Sequence, residues 1–324
     1  FLVVNRSAGA FAPEETRMEI SFMGLKLCKY TLLLLLPLLA LGGCTSDEGN
    51  EVEVVAEVPV KQTTPLKFSK TVVDSEAIGA AFAAVGDLND DGKLDFTISK
   101  FGKVAIPDLP AGEVTLYLQG DDLKTWVQEP IFGPDEEIYW PNDMELHDID
   151  GDGDLDVLVG GGFLICPFSP SVGPCGSLIW FENTSVAWVR HDIVSGGSDL
   201  FYHSGVFVDL DNDGIEDIVT VGEERIIVEG EVQDRAITQW FKGNDSASRF
   251  DSTPITIGSG LGGLISAYDI DADGDLDFLS SEFFTGLGGS FAWMEQMTAP
   301  TEANPNGEWT RHIIDDEVGP AIQF

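Results

Sequence analysis

The 324-residue chain carries 56 acidic against 17 basic side chains, a formal net charge of −39, and 43% of its residues are hydrophobic. That apolar share suffices for a large core and excludes disorder throughout. The acidic excess excludes a general affinity for phosphate backbones, so no nucleic-acid partner is expected, and it points towards cations.

In chain order, residues 1–22 read as a segment apart from the rest, and Met23 is the first convincing start, with Met18 as an alternative. A short basic region with Lys26 and Lys29 leads into the apolar run Leu32–Leu41, which ends in Gly42-Gly43-Cys44. The run is too short to span a bilayer as a mature helix, and the order is that of a secretory signal. The small residues before Cys44 resemble a bacterial lipobox. Residues 23–43 are therefore expected to be a lipoprotein signal peptide, 44–70 a polar tether and 71–324 the folded domain. The expected location is the bacterial cell envelope, on the outer membrane or its extracellular face, with the membrane reached through a lipid on Cys44. Cys28 would leave with the signal, so Cys166 and Cys175 remain in the sequence CPFSPSVGPC. Its prolines and glycine suit a surface loop, and an oxidising compartment would close it as a disulfide.

Four acidic strings dominate the remainder: DLNDDGKLD at Asp87–Asp95, DIDGDGDLD at Asp148–Asp156, DLDNDGIED at Asp209–Asp217 and DIDADGDLD at Asp269–Asp277. Their first residues lie 61, 61 and 60 positions apart. A period of this length marks a repeat architecture. Strand-like stretches flank the strings, such as Ala81–Val85 before the first and Val157–Val159 after the second, which makes each string a hairpin connection. Aromatic residues keep the same phase. Trp126, Trp188 and Phe250 precede the next string, while Tyr117, Trp180, Trp240 and Trp293 follow their own. A unit of about 60 residues has room for four short strands, cannot bury both faces alone, and must stack on its neighbours. Radial stacking would leave only short protected edges, so the expectation is all-β, a β-propeller of four-stranded blades. Trp309-Thr310-Arg311-His312 echoes Trp188-Val189-Arg190-His191, which would place the next string at position 330. The chain is therefore expected to continue, and to hold four to five blades of an incomplete domain.

The strings have the spacing of a calcium loop, with side-chain oxygens at positions 1, 3, 5 and 9 and a backbone carbonyl at 7. The first would use Asp87, Asn89, Asp91 and Asp95 with the carbonyl of Lys93. The second would use Asp148, Asp150, Asp152 and Asp156 with that of Asp154. The third would use Asp209, Asp211, Asp213 and Asp217 with that of Ile215, and the fourth Asp269, Asp271, Asp273 and Asp277 with that of Asp275. Gly92, Gly153, Gly214 and Gly274 hold position 6, where the chain reverses sharply. An all-oxygen, carboxylate-rich set favours Ca²⁺ over Zn²⁺, and its ligand number favours Ca²⁺ over Mg²⁺. About four structural Ca²⁺ ions are expected. These are not EF-hands, because position 12 holds Ile98, Val159, Thr220 and Ser280 instead of a bidentate Glu. The bland alternative is a set of polar hairpin turns, rich in Asp and Gly for conformational reasons.

From about Ala80 onward, these D-x-[DN]-x-D-G-x-x-D strings, with Ala-Phe-Ala-Ala-Val-Gly before the first and Trp180-Phe181-Glu182-Asn183 after the second, resemble the FG-GAP/VCBS repeat family, also seen in integrin alpha-subunit head domains. The resemblance implies a seven-bladed propeller when complete, with structural calcium. It suggests a cell-surface binding, adhesion or scaffold domain for a protein or glycan ligand. The alternative is an exported carbohydrate-active enzyme such as a polysaccharide lyase. No phosphate loop, nucleophile elbow or zinc motif is found, and no catalytic residue is assigned. His191 and His312, each after an Arg, are expected to have packing roles, and His147 to support the second string. Tyr202-His203 is the most plausible exception. Metabolic labelling with a clickable fatty acid in a bacterial host should mark the wild-type chain and miss Cys44→Ser. Equal labelling of both would overturn the anchor.

Overall fold

The computed structural model describes residues 68–105, 108–184, 186–282 and 289–317. The expected signal peptide, Cys44 and nearly all of the expected tether lie outside them. The described residues form four four-stranded antiparallel sheets, each a simple meander of four consecutive strands. Sheet 1 holds β1 (Ala80–Gly86), β2 (Asp95–Lys100), β3 (Glu113–Gln119) and β4 (Trp126–Phe132). Sheet 2 holds β5 (Pro141–His147), β6 (Asp156–Gly161), β7 (Gly176–Asn183) and β8 (Trp188–Ser198). Sheet 3 holds β9 (Phe201–Val208), β10 (Asp217–Val228), β11 (Glu231–Phe241) and β12 (Ile255–Ser259). Sheet 4 holds β13 (Ser266–Tyr268), β14 (Asp277–Glu282), β15 (Ser290–Thr298) and β16 (Glu308–Asp315). Each acidic string joins the first and second strands of its sheet, in the hairpin position its spacing indicates.

Three apolar clusters lie between successive sheets. Val114, Leu116 and Phe132 of sheet 1 meet Val157, Val159 and Phe181 of sheet 2. Leu158, Leu178 and Trp180, on the opposite face of sheet 2, meet Tyr202, Ile218 and Phe241 of sheet 3. Val219, Val221 and Trp240 of sheet 3 meet Phe278, Ala292 and Met294 of sheet 4. Sheet 2 is thus covered on both faces, which explains why every residue of β6 is buried where a half-exposed strand would alternate. The aromatic phase has a clear purpose here. Tyr117, Trp180 and Trp240 sit on third strands and are each about 1% exposed.

The echoed Trp-x-Arg-His segments occupy the fourth strands β8 and β16. His191 stacks on Trp180 at 4.1 Å between ring centroids and bonds Glu182 through Nε2 at 2.7 Å. His312 repeats this on Trp293 at 4.6 Å, with Glu295 as its partner. Arg190 reaches back to the Glu136 carbonyl at 2.7 Å, and Arg311 to the Gly260 carbonyl at 3.2 Å. Each Arg therefore clamps its sheet to the segment that precedes it. The packing role expected for both histidines holds.

The expected propeller does not. The four sheets remain separate, and none of the core clusters joins sheet 4 to sheet 1 among the described residues. A stack of four sheets with three interfaces is not a closed ring, so neither a seven-bladed propeller nor a four- to five-bladed part of one describes this fold. Trp309–His312 lies on β16, the fourth strand of the fourth sheet. The physical reason is that a repeat specifies the unit and its contact with the next unit, whereas closure depends on the rotation between units, which spacing does not encode.

Cys166 and Cys175 are joined by a disulfide, as expected. Their loop is not simply a surface loop: both sulfur-bearing residues are buried in a small cluster with Leu109, flanked by Tyr139 and Trp140. Replacing both cysteines with serine should lower stability by about 2–3 kcal/mol, from the entropy of the short loop that the bond closes. An unchanged urea midpoint would show that the bond contributes nothing.

Candidate metal sites in the acidic hairpin loops

Four loops share one backbone design. Position 6 is a glycine with positive φ in all of them, from 80° at Gly92 to 103° at Gly274, and a Cβ there would meet nothing within 4 Å. The conformation itself is therefore the reason for glycine. Position 4 is also left-handed throughout, at Asp90, Gly151, Asn212 and Ala272. The sequence did not single this position out, because three of its four occupants are not glycine. Asp90 and Asn212 tolerate it through their short polar side chains, whereas Ala272 has no such help.

Side chains at positions 1 and 5 fold the loops. Asp87, Asp148 and Asp209 accept hydrogen bonds from the amides of Gly92, Gly153 and Gly214 at 2.7–3.1 Å. Asp91, Asp152, Asp213 and Asp273 accept from the amide two residues on, at 2.9–3.2 Å. These are turn-forming bonds, and they account for much of the Asp and Gly content by themselves.

Position 9 works differently. Asp95, Asp156, Asp217 and Asp277 are all 0% exposed. Each Oδ2 accepts the amide at position 2 of its own loop, from Leu88, Ile149, Leu210 and Ile270, at 2.9–3.1 Å. Each Oδ1 accepts an amide at or close to the far end of the third strand, from Gln119, Asn183, Gly243 and Gln296, at 2.7–3.0 Å. The carboxylate thus fastens the loop to the strand that pairs with the loop's exit. Sequence spacing assigned these residues to metal alone and missed this second task.

Carboxylate oxygens converge in three loops. Asp148, Asp150 and Asp156 form one trio, Asp209, Asp211 and Asp213 a second, and Asp269, Asp271 and Asp273 a third, with the atoms of each trio within 4.8 Å of one another. These are candidate sites for a divalent ion. Asp152, Asp217 and Asp277 were expected as ligands but stand outside the trios. The first loop, with Asn89 at position 3, gathers no comparable trio, and Asp91 takes the Lys93 ammonium at 3.3 Å. The crowding has an electrostatic signature. Burial and then the neighbouring Asp152 and Glu182 charges raise Asp150, against the pull of its backbone bond and of Arg249. Burial and the Asp273, Asp277 and Glu295 charges raise Asp271.

The third trio carries a feature of its own. Lys242, just past β11, bonds both Asp211 and Asp213 through its ammonium, the latter at 2.5 Å. Although burial opposes its charge, the hydrogen bonds to these two carboxylates raise its pKa. The signal for it was in the sequence: the matching positions of sheets 2 and 4 carry Glu182 and Glu295, so the repeat reverses charge there.

His147, expected to support the second string, reaches across to the third, stacking on Phe207 at 4.3 Å and bonding Glu216 of the third loop through Nε2 at 2.6 Å. His203 lies buried on β9 with Nε2 3.4 Å from Glu223, itself about 1% exposed. Tyr202 is buried too, its hydroxyl 3.1 Å from Gln239. This is the setting of a packed polar pair and offers no support for carbohydrate-active chemistry.

No family model matches the chain, and no curated protein matches it. Membership of the FG-GAP/VCBS repeat family is thereby not supported, since neither the comparison nor the unclosed sheets agree with it. The reading of the chain as a surface propeller for binding, adhesion or scaffolding falls with that membership.

Two of the buried staples carry a pH consequence. Burial pushes the Asp156 and Asp217 carboxyls up to about 6, only partly offset by their amide hydrogen bonds. An unfolded Asp titrates near 3.9, so between about pH 4 and 6 the folded state binds more protons, and stability falls as pH rises through that window. Urea denaturation of chelator-treated protein should show this fall, and the double substitution Asp156→Asn, Asp217→Asn should flatten it. A flat wild-type profile would contradict the assignment.

Proposed function

We propose that the acidic hairpin loops bind Ca²⁺ and that the domain is a calcium-stabilised all-β module of an exported, lipid-anchored protein. The observation that carries this reading is the convergence of three carboxylates within 4.8 Å in each of three loops. Like charges at such distances repel unless a cation lies among them, and turn formation alone does not call for the trios. Oxygen-only ligands favour Ca²⁺ over softer metals, and a flexible loop suits its variable geometry better than the octahedron Mg²⁺ demands. Each ion would neutralise charge at a hairpin whose position-9 carboxylate is already fastened to the next strand, so binding would stabilise the sheet as a whole. The Cys166–Cys175 disulfide supports export, because such bonds persist in oxidising compartments. On this reading the role of the metal is structural, and no reaction is assigned to the site.

A site held at a hundred times its Kd adds about 2.7 kcal/mol to stability. Chelator-stripped protein should therefore melt at a lower temperature than protein in excess Ca²⁺. Asp271→Ala should cost stability mainly when Ca²⁺ is present. Identical melting curves with EDTA and with Ca²⁺ would reject the proposal.

A further inference from the structure

The four loops are alike in backbone but not in their surroundings, and the third differs most. Its trio already holds a cation supplied by the chain. Lys242 places its ammonium on Asp211 and Asp213, and the same nitrogen lies 5.9 Å from the centre of the Trp240 ring. Trp240 is about 1% exposed, so the lysine stem leaves the sheet beside a fixed wall and the ammonium is delivered to one place. The position is defined by the fold: Gly243, the next residue, donates its amide to Asp217 as Asn183 does to Asp156 and Gln296 to Asp277. By that register Lys242 corresponds to Glu182 and Glu295. Those two glutamates bond His191 and His312 and add negative charge near their own loops. At one structural position, then, two loops receive a carboxylate and one receives an ammonium.

Neutralisation by Lys242 is incomplete. Asp211 gives Oδ2 to the ammonium, while its Oδ1 is buried with no hydrogen-bond partner among the described residues. A buried carboxylate oxygen left in this state is costly, and it lies in the trio where a cation would be held. The lysine is a third exposed and sits at the loop's open side. A divalent ion entering the trio would have to displace it, because a 2+ ion and an ammonium on the same two carboxylates repel.

We infer that Lys242 is the built-in counter-cation of the third loop, holding Asp211 and Asp213 together without metal and keeping divalent ions out at concentrations that fill the Asp148–Asp156 and Asp269–Asp277 loops. This rests on the cation-loop reading above and adds a regulation to it. The hairpin between β9 and β10 stays formed when calcium is withdrawn, so the middle of the sheet stack is independent of the ion while its neighbours are not.

The test counts ions. Chelator-stripped full-length protein and Lys242→Met, which keeps the length of the stem and removes its charge, are titrated with Ca²⁺ by calorimetry, with stoichiometry checked by native mass spectrometry. The expected result is one more ion bound per chain in Lys242→Met than in wild type. Ions bound in equal number and with equal affinity to both proteins overturn this inference alone. No binding by either protein overturns the cation-loop reading and this inference with it. Should Lys242→Met fail to fold, Asp213→Asn is compared with Asp273→Asn, its fourth-loop counterpart. The inference expects Asp213→Asn to lower the melting temperature equally with and without Ca²⁺, and Asp273→Asn to lower it only with Ca²⁺. A penalty for Asp213→Asn that appears only with Ca²⁺ overturns it.

Discussion

A buried aspartate at the ninth position of each acidic loop carries more of this fold than any other polar group. Its two oxygens accept one amide from the start of the loop and one at or close to the end of the third strand, and in all four sheets it is fully removed from water. Hydrogen bonds to a charged acceptor are roughly twice as strong as neutral ones, and two per carboxylate offset part of a desolvation that would otherwise be prohibitive. The first, second and third strands are held in fixed relation by that one side chain. The loop can then present its remaining carboxylates to solvent without unravelling.

Neighbouring sheets depend on this rigidity. The cores between sheets are built from residues at matching repeat positions, such as Val157, Ile218 and Phe278, each just after the stapling aspartate on its second strand and about 0% exposed. The second sheet is covered on both sides, so its β6 contains no outward polar residue at all apart from the stapling Asp156. Trp–His–Glu stacks join the third and fourth strands of sheets 2 and 4, and Arg190 and Arg311 tie each sheet to the connection before it.

Charge is the other constraint. A net charge of −39 concentrated in part at four hairpins has to be balanced locally, and the loops do this in different ways. The first substitutes Asn89 for a carboxylate and places Lys93 beside Asp91. The third borrows Lys242 from the end of a distant strand. Among the described residues, the trios of the second and fourth loops make no ion pair with a Lys or Arg, although Arg249 acts on Asp150, and these are the loops where a free cation has most to offer. Four near-identical strings therefore do not make four equivalent sites.

What the sequence determined by itself was local or periodic. The 60-residue unit, the hairpin placement of every acidic string, the glycine at the reversal, the aromatic third strands and the closed Cys166–Cys175 loop all follow from spacing and from the short-range conformational demands of a turn. Histidine packing was legible too, because two copies of one pattern in one phase are better explained by the repeat than by chemistry. Tertiary structure decided what spacing cannot express. Whether the sheets close depends on the angle between them, and the same unit is compatible with a ring or an open stack. Whether a carboxylate is a ligand or a staple depends on a strand end some twenty to thirty residues away, as Asp95 and Gln119 show. The occupant of the third loop depends on Lys242, which is remote in the chain and adjacent only because β10 pairs with β11. Periodicity fixes what each unit contains, and contacts between distant segments fix what its charged groups can do.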